Sequence, residues 1–411
     1  MDLQLIPPQD RSREFEVSIT GSKSESNRML ILQALYPLLE ISNLSNSDDT
    51  RVLTQALSSA EDVIDIHHAG TAMRFLTAYL AASPNRSVTL TGSERMQQRP
   101  IGILVDALNS MGADISYLKE VGYPPLQIHG IELSGSSVSI AANTSSQYLS
   151  ALMLIGPSLV NGLVLNLEGE ITSRPYLEMT LALLKEIGVE TEFKGNRIRI
   201  HPFSMEESRQ LIVESDWSSA SYFYSLVALS EEMTVTLTSY KAESLQGDAA
   251  LTKIYRELGV ISEFDSTIAS LTLHKQPGHQ LPKRLELDLA DTPDLAQTIA
   301  ASCAGLGIGC HLTGLHTLKI KETDRLEALK AELGKLGAPI SVGQDWLTIE
   351  PGTKLIPNQR IETYHDHRMA MAIAPLALFV PMTVLDAGVV SKSYPSFWRD
   401  LAMTGIGMVE G

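Results

Sequence analysis

The chain repeats itself, and the repeat limits the folds open to it. Four segments with leucines three or four apart end in glycine and lead into a short strand, closing at Gly112, Gly188, Gly259 and Gly337. The intervals are 76, 71 and 78 residues. Glycine suits the left-handed position that closes a helix, so these positions read as helix ends. Alternating segments follow at 126–129, 197–201, 271–274 and 347–350. A second, apolar helix recurs with small or polar residues at its start, from Asn27, Gly70, Ser145, Ser218, Asp294 and His367. These starts are 43, 75, 73, 76 and 73 residues apart, and a strand follows each. Six copies of about 70 residues result, the first shortened, which fits two domains of three units. A solenoid is the rival reading, but common arrays repeat every ~20–50 residues. One helix per unit is apolar nearly all round, as at 370–379, and such a helix is buried. The predicted fold is α/β (α+β), with helices within each domain and sheets outside.

Composition removes several function classes. Of 411 residues, 44% are hydrophobic, too many for a disordered chain. The richest apolar run, 369–381, is 13 residues with two prolines, which reads as a buried helix rather than a membrane span. Residues 1–13 carry charges and two prolines, so no secretory signal is expected, and the chain is expected to be cytoplasmic. Cys303 and Cys310 read as buried free thiols. The net charge of −16 gives no general attraction for nucleic acid or an anionic membrane. A small anionic ligand needs only a local group of cations.

The polar residues gather at the starts of the buried helices: Gly21–Arg28, His68–Arg74, 143–147, 216–221, 291–294 and 364–368. Helix starts offer unpaired N–H groups and a positive dipole end, so they attract anions. Ordinary capping explains serine, threonine and aspartate there. It does not explain Lys23, Arg28, Arg74 and Arg368, because a cation opposes the dipole unless an anion shares the place. A second polar set follows the strands, at 47–51, 95–100, 172–176, 241–243, 319–325 and 391–394.

At these residues the chain resembles the 5-enolpyruvylshikimate-3-phosphate synthases, the enolpyruvyl transferases of the shikimate pathway. Gly-Ser-Lys-Ser-Glu-Ser-Asn-Arg, Ala-Gly-Thr-Ala-Met-Arg, Arg-Pro-Ile, Ser-Ser-Gln, Lys-Glu-Thr-Asp-Arg and Asp-His-Arg-Met-Ala-Met occur in that order. Each motif is weak alone; together they are specific and span the chain. The resemblance implies two similar domains, each of three βαβαββ units, an inside-out α/β barrel. It implies two crossings between domains: one domain at 21–214, the other from 1–20 and 215–411. Bound anions are expected to draw the domains together.

The resemblance also implies the substrates, shikimate 3-phosphate and phosphoenolpyruvate. A monomer is expected, with no metal, and no cofactor is needed because phosphoenolpyruvate brings its own leaving group. Lys23 would touch both, and Ser24 and Arg28 the shikimate part. Ser145, Ser146 and Ser173 would hold the 3-phosphate, helped by Arg174, with Gln147 and Tyr176 placing the ring; Lys321 and Asp294 join this set. Gly70 and Thr71 would let phosphoenolpyruvate approach the backbone. Arg99, Arg325, Arg368 and Lys392, with Gln147, would bind its phosphate and carboxylate, since the planar guanidinium matches such groups. Arg74 reads as support for the Gly70 turn. The reaction adds the 5-hydroxyl to C2 of phosphoenolpyruvate, protonates C3, and then expels phosphate. It needs a base and an acid. Asp294 is assigned to the hydroxyl and Glu322 to the methylene carbon; Lys23 is a third candidate, and a helix cap after Pro293 is the plain alternative for Asp294, which does not exclude the catalytic role.

Three positions depart from the family pattern: His68, often Asn; Phe75, often Pro; and Thr317, Asn in some members. Susceptibility to inhibitors that mimic phosphoenolpyruvate is therefore not readable. The sister transferases acting on UDP-N-acetylglucosamine typically carry a cysteine in the loop matching 92–99, which has none here. A non-catalytic repeat scaffold would show a basic face or lack the motifs.

Overall fold

The computed structural model describes residues 1–171 and 174–411. Its chain divides into two compact units, Gly21–Val213 and Met1–Thr20 with Glu214–Gly411. Glu214, expected at the end of the first, belongs to the second. Its carboxylate accepts from Trp217 Nε1 at 2.8 Å, Lys241 N at 3.0 Å and Ser244 Oγ at 2.5 Å, all within that unit.

In the first unit two four-stranded sheets share one plan. Val63–Asp65 runs parallel to Ser87–Thr91, which pairs antiparallel with Leu126–His129, and that with Asp114–Tyr117. Ser137–Ala141, Leu163–Glu168, Arg197–Ile200 and Thr191–Lys194 repeat the order. The shortened copy retains only the parallel pair Leu39–Ser42 and Arg209–Ile212. Inside lie Lys23–Leu35, Gly70–Ala81 and Ser146–Ile155; the last two are mostly apolar along their buried runs, whereas the first buries Glu25, Ser26, Asn27 and Arg28 ahead of its apolar stretch Met29–Leu32. Gly112 and Gly188 close their helices at φ +99° and +100°, which explains the repeat glycine: a β-carbon there would be strained.

The second unit repeats the plan three times. Glu14–Val17 pairs with Thr234–Thr238, then Ser270–Lys275 and Val260–Asp265. Arg284–Asp288 pairs with Gly309–Thr313, then Leu347–Ile349 and Ile340–Val342. Gln359–Ile361 pairs with Met382–Val384, then Leu3–Ile6 and Gly407–Glu410, so the first residues of the chain complete a sheet made by the last. The central helix Trp217–Leu229 is buried at every residue but Ser218. Trp217 packs edge-on against Tyr240 at 5.0 Å between ring centres. Truncating such a core aromatic costs about 3–5 kcal/mol. Cys303 and Cys310 are buried with free thiols.

Among the described residues the strands form six separate sheets, three in each unit, and no closed barrel. No helix of these residues is long and apolar enough to cross a membrane.

Candidate active site

The helix Lys23–Leu35 starts one turn earlier than the apolar pattern predicts, because Ser26 N already donates to Ser22 O at 2.8 Å. Lys23 and Ser24 are therefore helical. Lys23 Nζ stands 3.8 Å from Asp49 Oδ2. Arg28 is buried, and it donates from Nε to Thr180 Oγ1 at 2.8 Å, from Nη1 to Ser24 O at 2.7 Å and from Nη2 to Ser150 Oγ at 2.9 Å. Its guanidinium lies 5.9 Å from the Tyr176 ring and 5.5 Å from that of Phe75, so the residue expected to depart from the family pattern packs against Arg28. Burial pulls Arg28 down to about 10, against the influence of Tyr176 and Glu25, and it stays charged at neutral pH.

Gly70 opens its helix beneath Arg99: a β-carbon at Gly70 would stand 2.5 Å from Arg99 Nη1. Arg74 braces the turn, donating from Nη1 to Gly70 O and from Nη2 to Pro100 O, each at 3.1 Å. The anion that its place near a helix start called for is replaced by carbonyl dipoles, which agrees with a supporting part. Tyr148 donates to the same Pro100 carbonyl at 2.5 Å. Gln147 Nε2 donates to Thr71 Oγ1 at 3.1 Å, and Ser145 caps the helix that begins at Ser146. Arg174 pairs with Glu178 at 2.8 Å. Ser173 lies outside the described residues.

The second unit joins six expected residues into one ionic network. Arg325, 2% exposed, is its hub: Nη1 donates to Asp294 Oδ1 at 2.9 Å and Nη2 to Glu322 Oε2 at 2.8 Å. Nε donates to Asp366 Oδ2 at 2.6 Å. Arg368 Nη2 donates to Asp294 Oδ2 at 3.2 Å and to Ser218 Oγ at 3.1 Å. Lys321 Nζ stands 3.6 Å from Asp294 Oδ1, and Lys392 Nζ donates to Glu322 Oε1 at 2.8 Å. Asp366 also caps the helix His367–Ile373 through Arg368 N at 2.9 Å.

Burial alone would push the Asp294 carboxyl up, yet Arg368, Lys321 and Arg325 hold it far below the usual carboxylate range. Glu322 behaves alike: burial opposes ionisation, and Arg325, Lys392 and His367 overcome it. Both carboxylates are therefore ionised at neutral pH. Four cations meet three carboxylates in this network, so each cation already has an internal partner.

Three contributors escaped the sequence reading. Asp366 stood in a quoted motif, and its place at a helix start was a usable signal. Ser218 was a helix start read as capping. Asp248, which accepts the Ser218 hydroxyl, carried no signal at all. Of the remaining departures, His68 is exposed and the Thr317 hydroxyl is buried without a hydrogen-bond partner.

Solved structures share this architecture. An EPSP synthase from Acinetobacter baumannii aligns over 100% of both chains with a TM-score of 0.82 at 20% identity. The enolpyruvyl transferase NikO from Streptomyces tendae aligns over 99% of this chain and 98% of its own, with a TM-score of 0.74 at 16% identity. The fold is that of the enolpyruvyl transferases. A profile of EPSP synthase (3-phosphoshikimate 1-carboxyvinyltransferase) matches residues 53–401. A 3-phosphoshikimate 1-carboxyvinyltransferase of Bacteroides fragilis is 46% identical over 399 residues, 96% of each chain. One of Shewanella denitrificans is 36% identical over 418 residues, covering 94% of this chain and 95% of its own. The chain belongs to the EPSP synthase family.

Proposed function

We propose a role for each polar residue in the activity that family membership carries. The chain is a transferase that moves the enolpyruvyl group of phosphoenolpyruvate to shikimate 3-phosphate, a step of the shikimate pathway. The observation that carries the proposal is one guanidinium, Arg325, holding both Asp294 and Glu322, with Lys321, Arg368 and Lys392 around them.

Asp294, held ionised, takes the proton of the substrate 5-hydroxyl as its oxygen bonds to C2 of phosphoenolpyruvate. The C2–C3 double bond gives its pair to a proton at C3, and a tetrahedral adduct forms. In the second step C3 loses a proton, the double bond returns and the C2–O bond to phosphate breaks. Glu322 serves C3, and it must gain a proton to do so. Lys392 and Arg325 keep it ionised in the free chain. An anion that draws these two cations to itself weakens that hold and raises the carboxyl toward a usable acid. Lys23 stays the alternative donor.

Lys23, Ser24, Arg28, Ser145, Ser146, Ser173, Gln147, Tyr176, Asp294 and Lys321 bind shikimate 3-phosphate in this reading. Gly70, Thr71, Arg99, Arg368 and Lys392 receive phosphoenolpyruvate, aided by Lys23, Gln147 and Arg325. Arg325 holds three carboxylates in the free chain and turns part of its charge to phosphoenolpyruvate when that substrate binds. The two units Gly21–Val213 and Met1–Thr20 with Glu214–Gly411 are read as the two domains of a cytoplasmic monomer.

Phosphate release from phosphoenolpyruvate tests the reading. Release with shikimate 3-phosphate but not with UDP-N-acetylglucosamine is expected. Release with the UDP-sugar, or with neither, overturns it.

A further inference from the structure

Behind the cation network lies a carboxylate that the reaction chemistry leaves unused. Glu332 has no exposed surface and sits on the helix Arg325–Lys335, two turns after Arg325. Its Oε1 accepts from the Tyr364 hydroxyl at 2.7 Å and its Oε2 from the Glu362 backbone N–H at 3.0 Å. Lys335 Nζ donates to these oxygens at 2.9 and 2.7 Å and to the Arg360 carbonyl at 3.2 Å. Both oxygens of this side chain are thus engaged, by one ammonium, one hydroxyl and one backbone N–H.

What this carboxylate grips is a strained connection. The chain passes from the strand Gln359–Ile361 to the helix His367–Ile373 through Tyr364 and His365, with φ of +54° and +55°. Two consecutive residues with side chains in the left-handed region persist only where their surroundings over-determine them. The next residue is Asp366, which receives Arg325 and starts the helix carrying Arg368. One helix therefore holds the connection twice, with Arg325 on Asp366 and Glu332 on Glu362 and Tyr364.

We propose that Glu332 is a positioning residue for the transfer reaction: through Tyr364 and Glu362 it sets the left-handed pair that delivers Asp366 to Arg325 and aims Arg368. It touches no substrate. The inference rests on the reading that Arg368 and Arg325 serve phosphoenolpyruvate. Releasing the pair lets Asp366 shift, and a displacement of about 1 Å in such a group costs up to on the order of hundredfold in rate.

Steady-state kinetics of Glu332→Gln and Tyr364→Phe in the full chain test this, with Arg368→Lys as the reference. Glu332→Gln is expected to lower kcat/KM for phosphoenolpyruvate by about tenfold or more, and Tyr364→Phe by roughly threefold. Calorimetric affinity for shikimate 3-phosphate should stay within about twofold. The double variant should lose less than the product of the single losses, because both cut one link. A merely structural part would lower the thermal midpoint and leave the KM for phosphoenolpyruvate of the folded protein unchanged. Folded Glu332→Gln with parental kcat/KM overturns the proposal. Should that variant not fold, parental kinetics in Tyr364→Phe overturn it instead. If Arg368→Lys is impaired while both others are parental, only the positioning inference falls. If Arg368→Lys itself is parental, the assignment of phosphoenolpyruvate to this cluster falls, and the inference with it.

Discussion

Arg325 and Asp294, 31 residues apart in the chain, meet at 2.9 Å between Nη1 and Oδ1. The same guanidinium holds Glu322, so the carboxylates assigned to the hydroxyl and to the methylene carbon share one cation. Their protonation is thereby linked: whatever draws charge from Arg325 makes both easier to protonate.

Replacing Asp294 by Asn keeps an oxygen that can accept from Arg325 and removes the base. We expect kcat to fall by on the order of 10²–10⁴. Calorimetric affinity for shikimate 3-phosphate should change by less than about tenfold, since a lost contact of ~1.4 kcal/mol is a factor of ten. A variant with parental kcat takes Asp294 out of proton transfer.

At Gly70 the neighbour a methyl group would strike is the far end of Arg99, a side chain that can swing aside. Gly70→Ala should therefore fold with a thermal midpoint close to the parent, while the KM for phosphoenolpyruvate rises. The two are separated by calorimetry and kinetics on one preparation. A large loss of stability would show that Arg99 is fixed in place.

Arg74 satisfies two carbonyls with its buried guanidinium. Arg74→Met keeps much of the bulk and loses both bonds. Urea unfolding should show a loss of about 2 kcal/mol, because a hydrogen bond from a charged donor is worth ~1.5–3 kcal/mol, while Tyr148 still serves the Pro100 carbonyl. Unchanged stability would remove its supporting part in the Gly70 turn.

Asp248 supplies a pH test. Burial pushes its carboxyl up to about 6, with Arg368 and the Ser218 hydroxyl pulling down and Asp294 and Asp216 pushing up. A folded-state value above the ordinary carboxylate value means stability that is present at low pH and lost as pH rises through about 6. Asp248→Asn stays neutral and escapes that loss. The stability of the variant relative to the parent should grow between roughly pH 4 and 7 by at most about 3 kcal/mol, then level off. A difference independent of pH would mean that Asp248 is ionised throughout.

Local features were legible in the residues themselves. The apolar starts at Gly70 and His367 coincide with observed helix starts, and the alternating segment 126–129 is the strand Leu126–His129. The four repeat glycines all carry positive φ. Such features depend on neighbours within one or two turns, and a linear pattern records them. The ordered motifs located Lys23, Gly70, Arg325 and Arg368 for the same reason: each lies at an element's end, where side-chain chemistry and backbone geometry are set together.

Partner choice across the chain was not legible. Nothing in residues 1–20 announces that Leu3–Ile6 joins strands 382–384 and 407–410. The sequence alone determined the repeating units, their buried helices and the residue types gathered at the helix starts, because periodicity and capping are local. Only tertiary structure decided that Arg325 serves three carboxylates, that Arg28 rests on hydroxyls and rings, and that Glu332 fixes the turn before Asp366. Those pairings cross tens of residues, and an ionic contact forms only where the packed backbone brings the charges within reach.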